Sequence, residues 1–120
     1  MIAALVTDLI FRSRIAATAR AAEVTLRVVG RLEDVTMLLA AGDLTLLIVD
    51  MDGPEALASI RLAAEARPRP RIVAYFAHVQ TALAQQASEA GADTVLPRSI
   101  FVQRLPDLLR LPGQAAALQQ

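Results

Sequence analysis

The stretch LeuThrLeuLeuIleValAspMetAspGlyPro, residues 44–54, decides the fold class. Its first six residues are almost continuously apolar and do not alternate between polar and apolar side chains. This pattern is typical of a strand that is buried on both faces, as in a parallel sheet covered by helices. Asp50 and Asp52 follow the apolar run directly, before Gly53 and Pro54 break the segment.

Four similar runs rich in Val, Ile and Leu lie at residues 2–7, 24–29, 71–76 and 94–97. The segments between them have apolar residues at helical spacing, such as Phe11, Ile15 and Ala19. Strands alternating with helices through five units predict an α/β fold, with one open parallel sheet covered by helices on both faces.

The chain length fits one domain, and we expect it to cover residues 1–112. Gly42 and Gly91 follow the second and fourth helical segments, where a left-handed residue commonly ends a helix. Pro106 is predicted either in the first turn of a short fifth helix or within a longer one that starts near Ser99. Residues 113–120 have little hydrophobic pattern and are expected to form a flexible tail or the start of a linker.

The composition excludes several classes of chemistry. The 12 basic and 12 acidic residues give zero net charge, so we expect no nucleic-acid partner. Every basic residue is Arg, which excludes lysine chemistry, and there is no Cys and a single His, His78. The first apolar run contains Asp8 and precedes its arginines, unlike a signal peptide, and no run reaches the ~20 residues of a membrane helix. We therefore expect a soluble cytoplasmic protein without membrane contact.

Charged residues follow three of the predicted strands. Asp8 ends the first strand, Asp50 and Asp52 end the third, and Arg98 follows the fifth. If the first and third strands are neighbours, the three carboxylates converge at one edge and form a plausible Mg²⁺ site. Arg98 would then pair with Asp50 or with a phosphoryl group on it. Structural roles remain open: Asp52 could cap the next helix or bond loop amides, and Arg98 could simply neutralise Asp50. His78 is expected at the surface or in a cap.

Three segments together resemble the receiver domain of bacterial response regulators over nearly the whole chain. They are GluAlaGlyAlaAspThrValLeuProArg at residues 89–98, IleValAlaTyrPheAlaHis at residues 72–78, and Asp50 with Pro54 four residues later. The resemblance implies a single CheY-like, flavodoxin-like (βα)5 domain with parallel strand order 2-1-3-4-5.

The same resemblance assigns roles at the edge of the sheet. Asp50 matches the family's phospho-acceptor, and Asp8 matches the second member of its acidic pair. The first member of that pair is Thr7 here, so one carboxylate is missing. We therefore expect no cofactor beyond weakly bound Mg²⁺, held by Asp8, Asp50 and Asp52 if it binds.

Two further positions of the family pattern are altered. Phe76 replaces the Thr or Ser that contacts the phosphoryl group, and Arg98 replaces the Lys, keeping the charge but not the shape. The aromatic switch position of the family is Val95. We therefore predict a degenerate receiver, or pseudo-receiver, that signals without phosphorylation and is not an enzyme.

A phosphorylation-independent module must act by binding. The resemblance implies that a protein partner or a second copy docks on the face formed by helix 4, strand 5 and helix 5. The residues predicted for this interface are Leu83, Gln86, Val102, Gln103 and Arg104.

Two alternatives use Asp50 chemically. In the first, the chain is a working receiver of a two-component phosphorelay, and a histidine kinase directs phosphorylation of Asp50. In the second and more remote one, residues 46–53 resemble the Asp-x-Asp-Gly motif of haloacid-dehalogenase-type phosphatases. Asp50 would then be the nucleophile and Asp52 the general acid or base.

Overall fold

The computed structural model describes residues 1–77 and 81–118, in which five strands alternate with five helices. The elements are β1 Ile2–Leu5, α1 Leu9–Ala21, β2 Leu26–Val29, α2 Leu32–Ala41, β3 Leu46–Asp50, α3 Ala56–Glu65, β4 Arg71–Phe76, α4 Thr81–Ala90, β5 Thr94–Pro97 and α5 Arg98–Leu118. The strands form one parallel sheet in the order β2-β1-β3-β4-β5. The predicted fold class and strand order are confirmed.

The strand boundaries differ from the prediction where turns compete with the sheet. β4 and β5 have the predicted bounds, but β1 ends two residues early and β3 begins two residues late. β2 also begins two residues late. There the amide of Val24 donates to the carbonyl of Ala19, which closes the turn after α1 before the strand can begin. β3 extends to Asp50, because Asp50 pairs with Tyr75 of β4. Asp50 is therefore the last residue of the strand and not the first residue after it.

The sheet separates two apolar layers. On one face, β-strand side chains pack against α2, α3 and α4, through residues such as Val35, Ile60 and Ala87. On the other face they pack against α1 and α5, through Ile15 and Phe101 among others. Each residue of β3 is buried, as the unbroken apolar run of the sequence predicts. No helix in the described part of the chain is both long and apolar enough to span a membrane.

The helix ends follow the predicted punctuation. Gly42 has a φ of 82° and closes α2 in the left-handed conformation. α3 ends at Glu65, before the proline-rich segment that follows. Of the two arrangements open for Pro106, the structure has the longer helix: α5 begins at Arg98 and runs past Pro106 to Leu118. The domain boundary at residue 112 stays a prediction.

Gly91 directly follows α4 and packs against α3, and only a glycine fits at this position. Its φ is 122°, a backbone conformation that L side chains rarely adopt. A Cβ atom at this position would lie 2.6 Å from the Cβ of Ala64 in α3. Gly42 shares the positive φ, but a Cβ there would meet nothing within 4 Å.

Substitution of these two glycines separates the destabilisation caused by backbone strain at positive φ from that caused by the contact with Ala64. We expect Gly91→Ala to lower the free energy of unfolding by about 2–4 kcal/mol, because strain and overpacking each cost about 1–3 kcal/mol. Gly42→Ala should cost only about 1 kcal/mol, from the backbone alone. Urea unfolding of both variants measures the difference. Equal losses would mean that the contact with Ala64 is relieved at no cost.

Candidate functional site

The carboxyl ends of β1, β3 and β5 bring a small set of charged groups to one edge of the sheet. Asp50 ends β3, Asp8 follows the neighbouring β1, and Arg98 follows β5. Within β3, Asp50 alternates with Leu46 and Ile48, so its side chain lies on the face covered by α1 and α5. The edge therefore combines an acid that is only 3% exposed with a nearby guanidinium.

The Asp50 carboxylate is held by the turn that follows it. Its Oδ1 accepts a hydrogen bond of 2.9 Å from the backbone amide of Asp52. Burial raises the pKa of Asp50, and this is the largest influence; the Asp52 amide lowers it and the Asp52 carboxylate raises it. The charge of the Arg98 guanidinium also lowers the pKa of Asp50, but burial outweighs it. The groups around Asp50 thus do not make up for the hydration that its ionised carboxylate loses on burial.

Asp8 is the N-cap of α1. Its Oδ1 accepts hydrogen bonds from the amides of Ile10 at 2.9 Å and Phe11 at 3.1 Å. Its Oδ2 lies 3.9 Å from Nη2 of Arg98, at the limit of an ion pair. One oxygen of Asp8 therefore serves the helix, and the other faces a cation.

The capping role predicted as an alternative for Asp52 belongs to Asp8 instead. Asp52 is exposed and contributes its backbone amide to Asp50. α3 begins at Ala56 with Glu55 as its N-cap, so Asp52 caps no helix. Of the structural roles open for Asp52, helix capping is therefore not realised, because the N-cap of α3 lies three residues further along the chain, at Glu55.

The described residues do not assemble the carboxylate set that was predicted for Mg²⁺. Over residues 1–77 and 81–118, no group of three or more His, Cys, Asp or Glu side chains is placed to hold a metal ion. Oδ1 of Asp8 is occupied by the α1 cap, and Oδ1 of Asp50 is occupied by the Asp52 amide. The donor set therefore does not fit a three-carboxylate site. Weak Mg²⁺ binding by fewer ligands stays a prediction.

Arg98 lies against aromatic rings at this edge. Its guanidinium carbon is 4.6 Å from the ring centroid of Phe11 and 5.8 Å from that of Tyr75, within the range of cation–π attraction. Tyr75 also stacks on Phe101, with ring centroids 4.5 Å apart. Among the described residues, neither the Tyr75 hydroxyl nor Nε of Arg98 has a hydrogen-bond partner, although both atoms are buried.

Tyr75 is the site residue that sequence reasoning missed. It pairs with Asp50 in the register of β3 and β4, and burial together with the Asp50 charge raises its own pKa. The resemblance to receiver domains assigns a site role to the next residue, Phe76, and none to Tyr75. Phe76 lies on the opposite face of the sheet, in the core beneath α2, α3 and α4. The sequence carries no signal for Tyr75, because the alternation of side chains along β4 places it beside Asp50 only once the register with β3 is known.

The other predicted positions are spread around this edge. Thr7 is exposed between β1 and Asp8. Val95 is half-buried and packs against the same core layer as Phe76. His78 lies outside the described residues.

The predicted interface residues are on the expected elements. Gln86 of α4 and both Gln103 and Arg104 of α5 are exposed, whereas Leu83 and Val102 are half-buried. Three polar side chains of the predicted face are therefore open to a partner, and its two apolar members are partly withdrawn.

The buried Asp50 carboxylate should make the domain less stable as the pH rises. Because its folded pKa is raised, Asp50 favours folding below its ordinary value of 3.8 and loses that contribution as the pH rises through the folded pKa. Asp50→Asn keeps the acceptor for the Asp52 amide and removes the charge. We expect it to raise Tm at pH 7 by roughly a few degrees. The gain should vanish in acid.

Calorimetry at several pH values measures this gain, with Asp43→Asn as the charge-matched control. Asp43 is exposed, so its substitution should leave Tm nearly unchanged at each pH. A pH-independent gain for Asp50→Asn would contradict the assignment to a buried charge.

The cap and the ion pair of Asp8 can also be separated. Asp8→Ala removes both and should cost about 0.5–2 kcal/mol, the usual value of an N-cap. Asp8→Asn keeps a capping oxygen and loses only the charge, so it should cost less than about 0.5 kcal/mol, because a long exposed ion pair contributes little. Chemical denaturation gives both values. Equal losses would show that the Arg98 contact is the stronger of the two.

Comparison with known proteins identifies the fold. No family model matches the chain, and no curated protein matches it. A response regulator from Thermotoga maritima superposes with a TM-score of 0.76 at 17% identity, over 92% of this chain and 94% of that one. A structure of Saccharomyces cerevisiae Ypd1 with the receiver domain of the response regulator Ssk1 gives a TM-score of 0.81 at 13% identity, over 97% and 90%.

A third similar structure is described as an atypical orphan response regulator with a phosphorylation-independent regulatory mechanism. It has a TM-score of 0.72 at 19% identity, over 92% of this chain and 96% of that one. The superpositions cover almost complete chains, and the order β2-β1-β3-β4-β5 of this sheet is that of the receiver fold. This chain therefore has the fold of the receiver domains of response regulators.

Proposed function

We propose that this chain is a signalling module with the receiver fold that acts through protein–protein contact, without phosphorylation of Asp50. The observation that carries the proposal is the packing of Arg98. Its guanidinium lies against Phe11 and Tyr75 and faces Asp8, at the place where a phospho-acceptor site needs a free cation.

The chemistry of phosphoryl transfer to a carboxylate supports the proposal. Such transfer depends on a positioned metal ion and on groups that neutralise the phosphoryl oxygens. Here Asp8 is engaged as a helix cap, Phe76 is buried in the opposite core layer, and Asp50 is only 3% exposed. A phosphoryl group on Asp50 would also meet the ring of Tyr75 on the adjacent strand.

The comparisons give two further supports. One protein of the same fold is described as regulated independently of phosphorylation, so the fold is compatible with such a mechanism. Another is the receiver domain of Ssk1, solved with the phosphotransfer protein Ypd1, so the fold is compatible with a protein partner. For this chain we place the contact on the face of α4, β5 and α5, where Gln86, Gln103 and Arg104 are exposed. The partner is another protein or a second copy.

One observation favours a working phospho-acceptor as the second candidate. Asp50 lies at the end of β3, and the Arg98 charge acts to lower its pKa, so a cation is within electrostatic reach of the acceptor position. A histidine kinase would then be the partner. We propose no enzymatic role, because Asp52 is exposed and the similar structures described above are response regulators and their receiver domains, not phosphatases.

Intact-mass spectrometry after incubation with acetyl phosphate and Mg²⁺ separates the two candidates. We expect no phosphate-sized gain in mass, because the groups that neutralise the phosphoryl oxygens are missing or engaged. A gain that disappears in Asp50→Ala would overturn the proposal.

A rebuilt variant shows whether the altered positions cause the loss. Thr7→Asp, Phe76→Thr and Arg98→Lys together restore the residue types of the family pattern at three altered positions around Asp50, and Tyr75→Leu removes the ring on the adjacent strand. After circular dichroism has shown that it folds, this variant should gain the phosphate-sized mass, and the addition of Asp50→Ala should abolish the gain. A folded rebuilt variant that stays unmodified would mean that these four positions do not account for the loss.

A further inference from the structure

A groove of about 590 Å³ lies beside the Asp50 edge, between α1 and the start of α5. This volume is typical of small-molecule sites. Its polar lining consists of Arg14, Arg98, Ser99 and Gln103. Asp8, Asp50 and Asp52 are not among its lining residues, so the groove adjoins the carboxylate edge without including it.

The two charged side chains of the groove, Arg14 and Arg98, are both positive, and acidic side chains neutralise them little. Within the described residues, Arg14 takes part in no ion pair, and Arg98 has only the 3.9 Å contact with Asp8. Phe11 lies beneath the Arg98 guanidinium, and Arg14 is three residues further along the same face of α1. Two guanidinium groups that share one groove repel each other, and an anion between them would relieve the repulsion.

The surrounding helices strengthen this positive potential. α1 and α5 together contain six arginines and a single acidic residue, Asp107. On the opposite side of the sheet, α2, α3 and α4 contain four acidic residues and one arginine. The zero net charge of the chain therefore conceals a basic face, composed of α1 and α5, in which the groove lies.

The neutral groups of the groove fit the same kind of ligand. Arg98 and Ser99 belong to the first turn of α5, where unpaired backbone amides and the helix dipole favour an anion. The Ser99 hydroxyl and the Gln103 carboxamide are further donors on this helix. Ala77 and Val102 add an apolar wall, against which the carbon part of a ligand can pack.

We propose that this groove binds a small phosphate monoester of about nucleotide size, with its phosphate between Arg14 and Arg98. Two planar guanidiniums favour a phosphate monoester over a singly charged carboxylate, because its three terminal oxygens and higher negative charge can satisfy both guanidiniums at once. Bound phosphate would compete with Asp8 for Arg98. The inference goes beyond the proposed function, since this site would receive a ligand whether or not Asp50 is phosphorylated.

An NMR titration of the ¹⁵N-labelled chain with AMP at low salt tests the site, with adenosine as the ligand that lacks the phosphate. We expect AMP to shift the amides of Ser99 and Gln103 and to bind at least about tenfold more tightly than adenosine. Arg14→Gln should weaken AMP binding by about tenfold or more. Arg20→Gln, on the same helix but not in the groove, should leave it unchanged.

Three results would overturn the proposal. The first is the absence of shifts at Ser99 and Gln103 with both AMP and inorganic phosphate. The second is AMP binding that Arg14→Gln and Arg20→Gln weaken equally, which would indicate diffuse attraction to the basic face. The third is binding of a single-stranded oligonucleotide without binding of AMP, which would indicate a nucleic-acid surface.

Discussion

The complete burial of β3 is the constraint on which the other features depend. Both faces of this strand are covered by helices, and its backbone groups are paired with β1 on one side and β4 on the other. The strand must therefore be apolar along the length that the helices cover, and Asp50, its last residue, is itself only 3% exposed. The unusual burial of this carboxylate follows from the packing of the sheet, and the charged residues near it, Asp8 and Arg98, follow β1 and β5 in the chain.

The sequence predicted the fold more completely than the site. The runs rich in Val, Ile and Leu predict the observed bounds of β4 and β5, and Gly42 has the left-handed conformation expected of it. Tyr75 could not be identified in the same way. A strand buried on both faces shows no alternation of polar and apolar residues, so the residue that shares a face with Asp50 depends on the register between β3 and β4. Register is set by hydrogen bonds between strands that the sequence pattern does not record.

The roles of Asp8 and Arg98 show a second limit on what the sequence pattern predicts about the site. An aspartate between a strand and a helix satisfies the pattern of a metal ligand and that of an N-cap equally well, and the distances to Ile10 and Phe11 decide for the cap. At residue 98, the family pattern predicts a cation but not its neighbours. An arginine can lie flat against Phe11, whereas a lysine presents only a point charge. The replacement of Lys by Arg at position 98 therefore also accounts for the packing of this side chain against Phe11.

The division of charge between the two sides of the sheet makes this neutral chain strongly dipolar. With six arginines on α1 and α5 and an acidic excess on α2, α3 and α4, two molecules attract each other when opposite sides meet. Dissolved salt screens such attraction, with a Debye length of about 8 Å at physiological ionic strength. Solubility should consequently increase when salt is added, the reverse of what apolar association produces, and dilute buffers favour head-to-tail stacking.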